Sequence, residues 1–361
     1  MHIRKAAAVA LAAALGATSL AACSTEDVRE AAGKSGSPAP KTVTLVSHDS
    51  FNASKEVLAE FTKRTGFTVK VLKAGDAGEA VNKEILTKGS PQGDVFFGVD
   101  NTLLSRAVDN GIFVEYEAKG ADRIPDALKL DKRVTPVDTG DICVNYDKKY
   151  FADKKLAPPQ TFADLAKPAY KDLLVVENPE RSSPGLGFLL GTIAEYGDDG
   201  WQDYWSKLKA NGVKTVDSWE LAYNQEFSGS AGGKEAKGDR PLVVSYASSP
   251  PVEVLYADPQ PKEAPTGVSA GTCFRQIEFA GLLNGAKNPE GGKALIDFLV
   301  SKTFQDDMPL QMFVNPVVKD ATLPELFTQH GVVIDEPETM APEKIAEKRE
   351  AWIQQWSSLL R

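Results

Sequence analysis

Apolar and polar positions along this chain change period in a regular order. Residues 43–47 (VTLVS) form a short apolar run that predicts a strand. Residues 54–66 (SKEVLAEFTKRTG) space their apolar positions by three and four and stop at Gly66, which predicts an amphipathic helix. Alternation over 67–74 (FTVKVLKA) predicts a second strand, and 77–89 (AGEAVNKEILTKG) a second helix closed by glycine. Residues 94–100 (DVFFGVD) are almost wholly apolar, as expected of a strand buried on both faces, and 101–111 reads as a third helix. Strand–helix alternation at this spacing predicts an α/β unit with a mostly parallel sheet.

The rhythm breaks at 137–147 (VDTGDICVNYD), an extended stretch, and then restarts. An apolar run at 173–176 leads into NPERSSPGLGFLLG (178–191), where Ser182 or Ser183 caps a helix and Pro184 occupies its first turn. A long amphipathic region follows. VKTVDSW (213–219) is expected to be a strand, ELAYNQEF a helix, and PLVVSYASSP (241–250) a strand and its exit. Residues 272–283 are again extended, 291–308 (GGKALIDFLVSKTFQDDM) predicts one strong helix, and the 342–360 stretch a last one. This layout predicts two α/β lobes joined by two hinge crossings, 141–147 and 266–275. The expected boundaries are 41–140 with 273–322 for lobe 1 and 145–268 for lobe 2, with 323–361 packing on lobe 2. No internal repeat is visible.

The N-terminus changes the picture. Arg4 and Lys5 precede an apolar run that is too short and small-sided for a good membrane span. It ends in Leu20-Ala21-Ala22-Cys23, which resembles a bacterial lipoprotein signal and implies a lipidated Cys23 after removal of residues 1–22. Residues 23–40 then read as a lipidated cysteine and flexible tether. The chain has 361 residues and a formal net charge of −9, which argues against a nucleic-acid partner. Export leaves Cys143 and Cys273 in an oxidising compartment, each in a strand-like run. A disulfide stapling the two crossings is expected, with two buried free thiols as the alternative. Neither cysteine has a neighbouring Cys or His at metal-ligand spacing, and no metal or cofactor is expected.

Motifs for catalysis are weak. Gly267-Val268-Ser269-Ala270-Gly271 matches G-x-S-x-G, but that elbow needs a strand before it and a helix after it, and here a proline-rich loop precedes and a strand follows. A hydrolase using Ser269, with His330 downstream, is therefore a distant alternative. The glycine-rich stretch 228–239 lacks the spacing of a phosphate loop and has Glu235 where Ser or Thr should be, so a surface loop is expected. Better placed are polar and aromatic groups at strand ends: His48, Asp49 and Ser50 after the first strand, Asp100 and Asn101 after the third, and Tyr246 after 241–245. Trp219, with Tyr223 a turn later, and the helix start at Ser182 and Ser183 join them. In open α/β sheets, ligands sit beyond the carboxyl ends of strands. These groups describe a cleft with π-faces, a carboxylate and an anion seat, suited to a flat cation that carries a phosphate or hydroxyl end.

The runs HDSFNAS, GDVFFGVDNTLLSRAVDNGIF, NPERSSPGLGFLLGTIAEYGDDGWQDYW, VDSWELAY, LVVSYASSP and MPLQMFVNPVV resemble the thiamine-binding components of bacterial ABC importers, over roughly residues 42–361. The resemblance implies a two-lobed type II periplasmic-binding-protein fold, α/β, each lobe a mostly parallel sheet flanked by helices. It implies a non-enzymatic, monomeric protein that captures thiamine, or a thiamine phosphate, and delivers it to an ABC permease while lipid-anchored outside the cytoplasm. Asp100 matches the family's ligand-facing aspartate, Ser182 and Ser183 the pair that holds the phosphate end, and Trp219 and Tyr246 the aromatics that wall the site. Three positions depart: His48 stands where tyrosine is expected, Val252 where another ring is expected, and Phe313 where tryptophan is expected. Glu180 occupies the place of an arginine, with Arg181 next. The alternatives within the same fold are binding of ferric iron, disfavoured because Ala247 rather than a second tyrosine follows Tyr246, and of polyamines, for which only Asp49 and Asp100 are evident carboxylates.

Overall fold

The computed structural model describes residues 41–230 and 238–361. The leader, Cys23 and the tether lie outside the described residues, as does most of the glycine-rich loop at 228–239.

The first wall of the molecule alternates as its sequence does. Strand β1 (Thr42–Ser47) leads to α1 (Lys55–Thr65), where the Ser54 side chain accepts from the Val57 N–H and Gly66 closes the helix at φ 77°. Next come β2 (Thr68–Lys73), α2 (Ala77–Leu86), β3 (Val95–Asp100), α3 (Leu104–Asp109) and the short β4 (Phe113–Val114). The long β5 (Thr135–Asp147) crosses to the second wall. There the chain runs through α4 (Lys148–Lys154), α5 (Phe162–Leu165), β6 (Leu174–Glu177), α6 (Ser183–Ala210), β7 (Lys214–Val216), α7 (Trp219–Leu221), β8 (Leu242–Tyr246) and α8 (Pro250–Leu255). Strand β9 (Thr266–Leu283) crosses back to α9 (Pro289–Leu299), α10 (Lys302–Met312), β10 (Asn315–Pro316), α11 (Glu325–His330) and α12 (Pro342–Leu360).

The strands join in the order β2-β1-β3-β9-β5-β8-β6-β7, with β4 on β9 and β10 on β5. The outer sets β2-β1-β3 and β8-β6-β7 are parallel, and the central β5 and β9 are antiparallel to each other and to their neighbours. One end of β9 pairs with β3, while one end of β5 pairs with β8. Each lobe is therefore a parallel sheet completed by a stretch of both crossings. Between Ile142 and Val144 the register slips, and four β9 residues, 270–273, are left without ladder partners. Cys143 and Cys273 are bonded there, with sulfurs 2.07 Å apart, inside both crossings.

Two expectations change in detail. The 291–308 run is two helices, because Val300 ends α9 and Ser301 caps α10 by accepting from the Phe304 N–H. The 213–219 strand stops at Val216, because Ser218 caps α7 and Trp219 is that helix's first residue. Helix α6 is interrupted at Gly197, with φ 69° and ψ 175°. Cores lie on both sides of the sheet. One is built on Phe61, Phe97, Phe298 and Phe304, the other on Phe96, Phe188, Trp205 and Phe274. Helix α12 packs Trp356 edge-on to Trp205 of α6 and pairs Glu350 with Arg106 of α3, so it touches elements on both sides of the crossings. No helix among the described residues is long and apolar enough to cross a membrane.

Candidate functional site

A cavity of about 290 Å³ opens between the lobes. Its lobe 1 side is made by two loops at strand ends. After β1 the chain turns through His48 to Ser50, and after β2 it reaches Asp76, the N-cap of α2. Its lobe 2 side is made by Ser183 and Pro184 at the start of α6, by Trp219, Glu220 and Tyr223, and by Tyr246 at the end of β8. Glu278 of β9 and the segment 311–314 complete the lining.

The aromatic side is held rigidly. The Trp219 indole stacks on Tyr223 with centroids 5.0 Å apart and planes 16° apart. Its Nε1 donates to Ser245 Oγ at 3.0 Å, and Ser245 shares a 2.9 Å hydrogen bond with Ser249. Tyr223 is 1% exposed and donates to Glu253 Oε1 at 2.7 Å, so it backs the indole rather than offering a free face. Burial, then the Glu253 charge, pushes the Tyr223 phenol well above its ordinary range, and it stays a donor. Tyr246 lies over Gly140 of β5, where a Cβ would come within 2.9 Å of its ring. Phe313 sits at φ 57°, a left-handed conformation, with its carbonyl accepting from Ser248 Oγ at 2.6 Å.

The charged side differs from expectation. Asp76 Oδ1 accepts from the Ala77 N–H at 2.7 Å, and Oδ2 accepts across the cleft from the Trp219 N–H at 2.9 Å. Burial raises its pKa despite those two N–H groups. Ser50 Oγ also reaches across, donating to Glu220 Oε1 at 3.3 Å. His48 Nε2 stands 3.2 Å from Glu278 Oε1. The cavity is thus lined by three carboxylates, Asp76, Glu220 and Glu278, none of which the sequence pattern singled out. Asp76 is hidden because a helix cap explains it fully. Glu278 does carry a signal, an acid inside the otherwise apolar run IEFAGLL.

Of the expected site residues, His48, Ser50, Ser183, Trp219, Tyr223, Tyr246 and Phe313 line the cavity, and so does Val252. Four do not, which corrects the expectation for them. Asp100 is fully buried. Its Oδ1 accepts from the Thr102 N–H, Thr102 Oγ1 and the Leu103 N–H at 3.0, 2.6 and 3.2 Å, and its Oδ2 accepts from Gln276 Nε2 at 2.7 Å. It caps a turn and anchors β9. Asn101 is spent on the same strand, donating to the Arg275 carbonyl and accepting from the Ile277 N–H. Asp49 is exposed and accepts from the Gly75 N–H at 3.1 Å. Ser182 is 1% exposed behind Ser183, which accepts from Gln276 Nε2 at 3.1 Å. Ser269 is also buried and donates to the Pro159 carbonyl at 2.6 Å, which removes the local basis for a nucleophile. Among the described residues no three His, Cys, Asp or Glu side chains are grouped to hold a metal ion.

Known proteins place this geometry. The family model described as bacterial extracellular solute-binding protein matches residues 90–246. The thiamine-binding periplasmic protein of Escherichia coli (strain K12) is 30% identical over 326 residues, 88% of this chain and 93% of that one. The thiamine-binding periplasmic protein of Brucella suis biovar 1 (strain 1330) is 28% identical over 334 residues, 88% of this chain and 92% of that one. Among solved structures, a periplasmic thiamin binding protein superposes with a TM-score of 0.76 at 27% identity, covering 90% of this chain and 98% of that one. Two lobes, paired crossings and a cleft between them make this the type II periplasmic-binding-protein fold, and the chain belongs to the family of bacterial extracellular solute-binding proteins that includes these thiamine-binding relatives.

Proposed function

We propose that this protein captures thiamine, or a thiamine phosphate, outside the cytoplasm and hands it to the permease of an ABC importer, without chemical change to the ligand. One observation carries the reading: a flat indole backed by a phenol shares a 290 Å³ cavity with the carboxylates of Asp76, Glu220 and Glu278. A planar cation satisfies both sides at once. Trp219 offers its face to an aromatic ring, and a cation held over such a face gains about 0.5–2 kcal/mol. Asp76 and Glu278 supply the opposing charge. Ser183, at the first turn of α6, is placed for the hydroxyethyl or phosphate end. Asp76 and the Trp219 N–H bond across the cleft, and a ligand that touches both lobes in the cavity beside them favours the closed arrangement. In this reading Cys23 carries the lipid that keeps the protein, as a monomer, at the membrane.

Calorimetry of the purified protein with thiamine, thiamine phosphate, spermidine and ferric ion tests the ligand. Binding of a thiamine form in preference to spermidine and iron is expected, and no heat with either thiamine form at micromolar protein overturns the reading. Spermidine is a necessary arm, because three cavity carboxylates leave room for a polyamine. For the anchor, Cys23→Ser is expected to move the protein from the membrane fraction to the soluble one; retention in the membrane fraction refutes it.

A further inference from the structure

His48 sits in an aromatic and acidic cavity as its one basic lining residue among the described residues. Its ring is fitted to the β3 backbone: a Cβ on Gly98, which lies at φ 103°, would come within 2.2 Å of His48 Cδ2. The same ring is 5.5 Å from Phe97 and reaches Glu278 Oε1 at 3.2 Å. Glu278 is 6% exposed, and its cross-strand partner on β5 is Asp138, which is fully buried with neither carboxyl oxygen accepting a hydrogen bond. Burial, followed by the charge of Glu278, holds Asp138 well above the usual carboxylate range. Asp100 and Tyr246 face the same pair from β3 and β8, Asp100 also being raised by its burial. Around His48 the charged groups are Glu278 from β9, Asp76 ahead of α2 and Asp49 in its own turn. Burial lowers the His48 pKa, but these three carboxylates, Glu278 foremost, offset that and leave it raised. His48 and Glu278 are thus paired at the cavity wall.

We propose that His48 is a displaceable counter-ion: the cationic ring of the ligand takes its place beside Glu278, and the imidazolium releases its Nε2 proton to solvent as the cleft fills. This rests on the reading of a thiamine-like cation as ligand. Glu278 Oε1 is the carboxylate oxygen in contact with His48 Nε2, so the ligand's ring and the imidazolium compete for the same place. With the ligand in place a protonated His48 is a second cation beside it, and losing the proton removes that repulsion. The charge balance closes: one fixed cation enters and one proton leaves. Binding is then linked to pH with a defined sign. Affinity rises as pH climbs toward the His48 pKa of the empty cleft and levels off above it, with a limiting slope of about tenfold per pH unit for one proton.

The test is calorimetry of the purified protein with thiamine from about pH 5.5 to about pH 8.5, in pairs of buffers that differ in ionisation enthalpy. Release of about one proton per thiamine on the acid side is expected, visible as a buffer-dependent heat. His48→Gln keeps a ring-sized hydrogen-bonding side chain without a titrating proton, and its affinity is expected to lose that slope. Thiamine's own titration is common to both proteins and cancels in the difference. The proton count on the unsubstituted protein decides the matter even where the variant does not fold. Thiamine binding with buffer-independent heat overturns this coupling alone, while absence of thiamine binding at every pH overturns the thiamine reading with it.

Discussion

Two aspartates of the same lobe stand at the starts of helical segments, Asp76 before α2 and Asp100 before the turn into α3, and they end up with opposite employment. Asp100 is surrounded by its own turn and by Gln276, so four donors from within the protein use both its oxygens. Asp76 uses one oxygen on its own helix and aims the other across the cleft at the Trp219 N–H. Local sequence decides that Asp76 caps a helix and Asp100 the turn before one. What decides access to a ligand is where the other lobe arrives, and it arrives at Asp76.

Breaking Asp76 should have the largest effect on binding. Asp76→Ala removes both a cavity carboxylate and a cross-cleft hydrogen bond, and thiamine affinity is expected to fall at least about a hundredfold, near 3 kcal/mol, by calorimetry, with a loss of stability of about 1 kcal/mol from the missing α2 cap. An affinity within a few-fold of the unsubstituted protein would place the ligand elsewhere. Asp100→Ala should do the reverse, destabilising the fold by about 2 kcal/mol in denaturant titrations by stranding buried donors. Its pH dependence sharpens the contrast. Burial pushes the Asp100 pKa up to about 6, above its unfolded value, so the folded state holds that proton more tightly. Stability relative to Asp100→Ala should therefore rise as pH falls from about 7 toward about 4, the reverse of a salt-bridged aspartate. A difference that shrinks on acidification would show that Asp100 is not desolvated as described. Asp49→Ala should do least. Its side chain is exposed and bonded only to Gly75, and thiamine affinity should stay within about twofold, or below about 0.5 kcal/mol.

Much of the architecture is legible in the chain because hydrophobic period is a local property. Helices α1, α2 and α12, strands β1, β2 and β3, and both crossings follow from apolar spacing with caps at Ser54 and Gly66. The 291–308 run deceives because its apolar spacing continues through Val300, while the break depends on Ser301 reaching the Phe304 N–H. Strand-end placement brings His48, Ser50, Trp219 and Tyr246 to the cavity, since clefts in such sheets lie beyond those ends. It fails for Asp100 and Asn101, because both also lie at a strand end and only the third dimension turns them inward to β9. Asp76 becomes visible only when residues 143 positions apart are brought together, while Glu278 shows itself in the chain as an acid in an apolar run but gains its partner only where the crossings meet the first lobe.

The bond between Cys143 and Cys273 has a mechanical consequence. It pins the two crossings to each other at a point inside both, at the register slip. With that pin in place the strands cannot slip lengthwise past one another, so a shearing displacement of the lobes is resisted by a covalent link.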